Sequence, residues 1–323
     1  MTKFRDYHKN VKVRIAQIFL SDLVMGAVVP FLAIYFSGHF GAKITGVLLL
    51  LNVLVGLLVG FYGGYYADLM GRKKLMVIGS LIRLLAFAVM ALANSPILTS
   101  PELTFIMVLL VGASFGLDGP AADAMLIDIT KPSERKGVYS LIYWSFNLAF
   151  AIGGIVGALA FRNYLYELLL TMTITSLISS ILVIFFIDET FKRKEKVSED
   201  GQKRQNVLLG MLKSYKEVTS DKLFLWFILA GMLLQSLENQ LENYIGVRLN
   251  EDMPTQSIFS FNITGVEMLG FLKSENTIIV VILTGIVTKR VMKWKREDRA
   301  FLTSIIFFTV GYVGISYMNN IWI

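Results

Sequence analysis

Nine apolar runs of about twenty residues, parted by short basic clusters, recur along this chain of 323 residues. As a helix, a run of that length rises about 30 Å, the thickness of a bilayer's hydrocarbon core. Candidate spans lie near 13–37, 43–67, 74–94, 102–129, 138–161 and 165–188, and a second set near 222–247, 274–292 and 299–319. The composition, 55% hydrophobic and 17% charged, is too apolar for a soluble domain, where polar residues interrupt helical runs every few positions. The expected fold class is therefore an all-α integral membrane protein.

The formal charge of +7 does not point to nucleic acid. The cations sit between spans, and aromatic and basic residues are not interleaved as a single-strand platform requires. With no cysteine, disulfides, thiolate metal sites and cysteine nucleophiles are excluded. The first run, Ile15 to Phe36, is too long for a cleaved signal and is read as a span.

Basic residues also fix an expected orientation. Of 31 Lys and Arg, 26 fall on the side of the N-terminus and four on the other, with Arg83 inside a span. The asymmetry predicts a cytoplasmic N-terminus in the cell membrane. Six spans over 1–188 form an expected first bundle. The polar stretch 189–221 is an expected cytoplasmic linker with an interfacial helix near Val207–Tyr215, and 222–323 an expected second bundle. Asn250 to Leu272 is expected to be an external loop or hairpin.

Between the second and third spans stands Gly64-Tyr65-Tyr66-Ala67-Asp68-Leu69-Met70-Gly71-Arg72-Lys73-Lys74. A turn this tight needs the conformational freedom of Gly71, and Asp68 lies one helical turn before Arg72. The spacing of Gly64, Asp68, Gly71, Arg72 and Lys73 resembles the signature loop of the major facilitator superfamily. That resemblance implies two related six-helix halves around a midplane site. Twelve helices would be expected, so the chain resembles a complete N-terminal half followed by an incomplete C-terminal one. Asn319 to Ile323 looks like the start of a tenth helix.

Ionisable groups at membrane depth cost roughly 2.5–3.5 kcal/mol each on insertion scales, so each needs a reason. Asp22 in span one, eight residues before Pro30, is read as a titrating or cation-holding group, or as the structural partner of Arg83 at similar depth. Span four carries Asp118, Asp123 and Asp128. Asp128 lies near the level of Arg72 and is read as its partner, either a releasable gate or a static bridge that orients the loop. The superfamily's matching acid does contact the signature loop, which favours the gate. Asp118, about 15 Å deeper along the helix, is the better candidate for a proton site. In span five, Gly153, Gly154 and Gly157 suit close helix packing. Tyr143, Trp144 and Asn147 suit either a cavity for flat or cationic ligands or an interfacial belt. In span seven, Glu238 and Glu242 share one face and point to the cavity or to outer headgroups.

Further stretches resemble the LmrP-type multidrug/proton antiporters: Ile44-Thr45-Gly46, Ala124 to Asp128, Tyr143-Trp144 with Asn147, and Glu242-Asn243 with Val247. The acid those proteins carry before the Tyr-Trp pair is Ile142 here. The resemblance implies a proton-coupled exporter of amphipathic or cationic small molecules. Its partners would be membrane lipid, a small-molecule substrate and protons, with no nucleic acid, no metal and no cofactor beyond the proton gradient. In that reading Asp68, Arg72 and Asp128 gate, while Asp22, Arg83, Asp118 and Glu242 couple protons or bind cargo. A sugar or metabolite symporter or uniporter, or a non-transporting membrane protein, are the alternatives. An enzyme is not expected, since neither a H-E-x-x-H pair nor a P-loop is present and both histidines, His8 and His39, lie near span ends.

Overall fold

The computed structural model describes residues 4–161, 163–191, 219–236, 253–258, 261–263, 265–291 and 297–317. Two compact units form, Met1–Arg193 with Val280–Lys289, and Lys194–Ile279 with Arg290–Ile323. The interfacial helix expected near 207–215 lies outside the described residues.

In the first unit, six helices follow one another: α1 Lys9–Phe40, α2 Ala42–Met70, α3 Arg72–Leu92, α4 Pro101–Ile129, α5 Pro132–Ala160 and α6 Leu165–Ile181. A π-helical turn, Leu182–Phe186, extends α6. All six are long and apolar enough to cross a membrane. Two of them start at side-chain caps. The His8 side chain accepts from the Asn10 amide to start α1, and Ser100 accepts from Leu103 to start α4, with Pro101 in its first turn.

Helix α1 packs along α5, α2 along α4, and α3 against both α4 and α6. Glycines permit the close approaches. A Cβ at Gly63 would come within 2.5 Å of the Gly116 carbonyl, and one at Gly153 or Gly157 would run into the backbone of Leu23 or Ala27. Gly154, grouped with these by sequence, meets only the Gly26 carbonyl at 4.0 Å.

The interior is layered. One apolar cluster gathers Val24 to Phe36, Ala86 to Ala91, Met107 to Val111 and Leu168 to Met172. A second, towards the α2–α3 loop, gathers Val11, Leu75, Met76, Ala121 to Leu126 and Val183. Between them each of four helices turns polar and stays buried: Gln17 on α1, Ser80 and Arg83 on α3, Ser114 and Asp118 on α4, and Ser176, Ser179 and Ser180 on α6. The outer surface is the reverse, with Leu50, Leu57 and Leu58 of α2 more than half exposed. Apolar side chains outside and polar ones inside suit a lipid solvent.

In the second unit, α7 (Lys222–Ser236) is capped by the Asp221 carboxylate, which accepts from the Phe224 amide at 3.0 Å. A short antiparallel hairpin pairs β1 Gln256–Ile258 with β2 Phe261–Ile263, within the segment expected to be a loop or hairpin. Helix α8 runs Gly265–Val291, of which Val280–Lys289 group with the first unit, and α9 runs Glu297–Tyr317. The start of α8 lies nine residues ahead of the apolar run, because Glu267 and Lys273 interrupt a hydropathy signal without ending a helix.

Leucine at Gly63 or at Gly153 should lower the thermal unfolding midpoint of the detergent-solubilised protein by about 5 °C or more, as overpacking of a close helix contact does. Gly46→Ala, where nothing lies within 4 Å of the added carbon, should leave the midpoint unchanged or slightly raised.

Candidate functional site

Two polar sites occupy the six-helix unit. The first is the α2–α3 loop. Gly71 adopts φ +99°, a conformation that side chains rarely take, and so turns the chain directly from α2 into α3. The Arg72 guanidinium, nearly buried, meets the Asp68 carboxylate at 3.0 Å and the Asp128 carboxylate at 3.1 Å, and donates to the Ala67 carbonyl at 2.7 Å. The Arg72–Asp128 contact named from sequence is thus present. Asp68 is 73% exposed and Asp128 only 32%, so the α4 acid is the better-shielded partner.

A residue that the sequence reading passed over completes this site. Glu189 accepts from the backbone amides of Arg72 at 3.0 Å and Lys73 at 3.1 Å, so it caps α3 from beyond α6. Its charge sits on the positive end of the helix dipole and satisfies two otherwise orphaned donors. Phe191 stacks on the Arg72 guanidinium at 4.6 Å, and the Thr190 hydroxyl donates to Asp128 at 3.3 Å. The same segment is clamped from the other side. Asn10, fully buried, donates to the Asp188 carbonyl at 2.8 Å and accepts from its amide at 3.0 Å. Beside it, Tyr7 packs its phenol towards Gly137, and burial, then Glu134, pushes that phenol's pKa up. Gly64 is uncrowded, its nearest neighbour being Pro120 at 3.9 Å, while Lys73 contributes its backbone amide.

The second site is a cavity of about 580 Å³ lined by Arg14 and Asp22 of α1, Arg83 of α3, Phe115, Asp118 and Asp123 of α4, and Tyr139, Ile142, Tyr143 and Phe146 of α5. Arg83 pairs with Asp118, and the two side chains are 5% and 4% exposed. Of the two arrangements weighed from sequence, Arg83 with Asp22 is not the one formed. Helix α3 lies against α4, and Gly79, one turn before Arg83, leaves room for the Asp118 side chain, whose Cβ would lie 2.7 Å from a Cβ at 79. The Arg83 guanidinium also covers the Phe115 ring at 4.0 Å. Asp22 and Asp123 line the cavity without a salt-bridge partner among the described residues.

Of the α5 residues singled out from sequence, Tyr143 lines the cavity. Asn147 turns back onto the Tyr143 carbonyl at 2.8 Å, and Trp144, 37% exposed, is not among the lining residues. Glu238 and Glu242 lie outside the described residues. Arg14 and Asp123 were not among the sequence candidates. Arg14 reads as one more flanking cation until α1 is seen to begin five residues earlier, at Lys9. Among the described residues no group of three or more His, Cys, Asp or Glu side chains is placed to hold a metal ion.

Breaking the buried pair from one side should be worse than removing it whole. Arg83→Leu or Asp118→Leu alone strands a buried charge, a cost of about 3–5 kcal/mol, whereas the double substitution leaves none. Thermal unfolding in detergent should therefore rank the double variant above both singles. A double variant as unstable as the worse single would overturn this account of the pair.

A family model described as Major Facilitator Superfamily matches residues 15–323. The Na(+), Li(+), K(+)/H(+) antiporter of Planococcus maritimus is 35% identical over 313 residues, which is 94% of this chain and 74% of the antiporter. The multidrug resistance protein MdtH of Sodalis glossinidius (strain morsitans) is 26% identical over 233 residues, 71% of this chain and 53% of that protein. Among solved structures, the peptide transporter POT in complex with alafosfalin superposes with a TM-score of 0.58 at 12% identity, over 92% of this chain and 70% of that one, a likeness of fold alone. With six membrane-length helices among its described residues and its signature loop, the chain belongs to the major facilitator superfamily of membrane transporters and is not an enzyme.

Proposed function

We propose that this protein is a proton-coupled antiporter that expels monovalent cations across the cell membrane. The observation that carries the reading is the pair of carboxylates, Asp22 and Asp123, that line one cavity without a salt-bridge partner among the described residues. A carboxylate without a fixed cation can hold a proton or a cation but not both at once, which is the competition that antiport needs. The name of the Planococcus maritimus relative, a Na(+), Li(+), K(+)/H(+) antiporter, supports the choice of alkali cations. The proton gradient supplies the energy. The cation asymmetry of the sequence supports a cytoplasmic N-terminus and α2–α3 loop. In this scheme the Arg72–Asp128 pair, with Asp68 at the rim, is the latch of the cytoplasmic gate, and protonation of Asp128 opens it.

A second reading keeps the mechanism and changes the cargo. Tyr139, Tyr143 and Phe146 line the same cavity, and aromatic faces attract organic cations. The multidrug name of MdtH is consistent with that cargo.

The test is a pH gradient held across everted membrane vesicles and followed with a pH-sensitive dye. Sodium, lithium or potassium salts should each collapse the gradient. Asp22→Asn and Asp123→Asn should cut the rate by roughly tenfold or more, as expected when a charged binding group is neutralised at low effective dielectric. Asp128→Asn should slow exchange while leaving the half-saturating cation concentration in place. A wild-type protein that responds to none of the three salts but expels ethidium would replace the first reading with the second.

A further inference from the structure

The charges lining the cavity do not cancel, and Arg14 decides by how much. Asp118 and Arg83 neutralise each other on α4 and α3. Helix α5 contributes Tyr139 and Tyr143 to the lining but no charge. What remains is Asp22 of α1, Asp123 of α4 and the guanidinium of Arg14. Among the described residues, two carboxylates against one guanidinium leave a single net negative charge.

Arg14 is held in place at a visible cost. One of its terminal nitrogens donates to the Gln17 carbonyl oxygen at 2.8 Å, while its Nε is buried with no partner. A guanidinium has no acceptor, so Gln17 must turn its oxygen towards Arg14. Gln17 is fully buried, and its Nε2 is thereby left without an acceptor. A well-satisfied core would not leave such a donor unpaired. The amide keeps Arg14 at the cavity and forgoes a hydrogen bond of its own.

We propose that Arg14 is the cavity's resident counter-cation. It cancels one of the two unpaired carboxylate charges, so this site accepts one monovalent cation or one proton rather than two, and it sets the cation affinity. The proposal rests on the antiport reading above and deepens it. Arg14 acts on cargo through the field it imposes on Asp22 and Asp123.

The test is equilibrium binding of radiolabelled sodium to the purified full chain in detergent, measured across a range of pH. Arg14→Gln should bind sodium roughly tenfold more tightly than the wild type at the same pH, the effect of removing one nearby positive charge. Its pH dependence should steepen from one proton displaced per ion towards two. Arg14→Lys should resemble the wild type. The double variant Arg14→Gln with Asp22→Asn restores a single net negative charge, and should return both affinity and slope towards wild-type values. A merely structural role for Arg14 would not be rescued by deleting a carboxylate.

A folded Arg14→Gln protein, monodisperse and with a wild-type unfolding midpoint, that binds sodium no more tightly than the wild type would overturn the proposal. So would the absence of saturable binding in both proteins. Tighter binding by Arg14→Gln with no cation-driven proton movement in vesicles would remove the antiport reading and leave the role of Arg14 standing. Exchange by the wild type with unaltered binding in Arg14→Gln would do the opposite.

Discussion

The interior of the six-helix unit depends on one buried ion pair. A guanidinium and a carboxylate at membrane depth are each too costly to leave alone, and Arg83 and Asp118 are tolerable only together. Their pairing dictates much that surrounds them. It requires α3 and α4 to lie close, a glycine at 79 to make room, and the Phe115 ring to cover the guanidinium's exposed face. It also anchors a polar layer that α1 and α6 join with Gln17, Ser179 and Ser180. Apolar clusters lie above and below that layer.

Because Arg83 is taken, the other cavity charges are left to one another. A wall with two carboxylates, one guanidinium and three aromatic rings of α5 is poorly suited to an anion and well suited to a small or flat cation. The loop site differs in kind. There the Asp68, Asp128 and Arg72 charges are paired, and the same guanidinium serves two carboxylates, a backbone carbonyl and an aromatic ring. One site is electrostatically unfinished and the other is closed, which is the contrast expected between a place that binds cargo and a place that holds a conformation.

The six spans of the first unit were legible in the sequence because length and apolarity alone decide them. The starts of α4 and α7 fall within one residue of the expected 102 and 222, whereas α1 begins four residues before the expected 13, where the His8 side chain caps it and hydropathy does not register it. The loop was legible because Gly71, Asp68 and Arg72 act locally, within one turn. Arg83 was harder. Two acids lay at depths it could reach, and the choice between them turned on which helices are neighbours. Arg14 was hidden among flanking cations, and Glu189 in a polar stretch after the last apolar run. Both act through contacts whose other member is recognisable only once the helices are assembled.

The cap of α3 has a consequence for how the chain is made. The carboxylate that satisfies the first amides of α3 belongs to a residue 117 positions downstream. A chain emerging from its N-terminus therefore inserts α3 with an open, positively polarised end, and that end stays open through the synthesis of three more helices. Glu189 and the neighbouring Asp188 backbone, which Asn10 receives, join the first and last helices of the bundle to its signature loop through adjacent residues. The space beside Gly71 that the carboxylate enters is the space a Cβ would need. A side chain there would obstruct the completion of assembly as well as the turn itself.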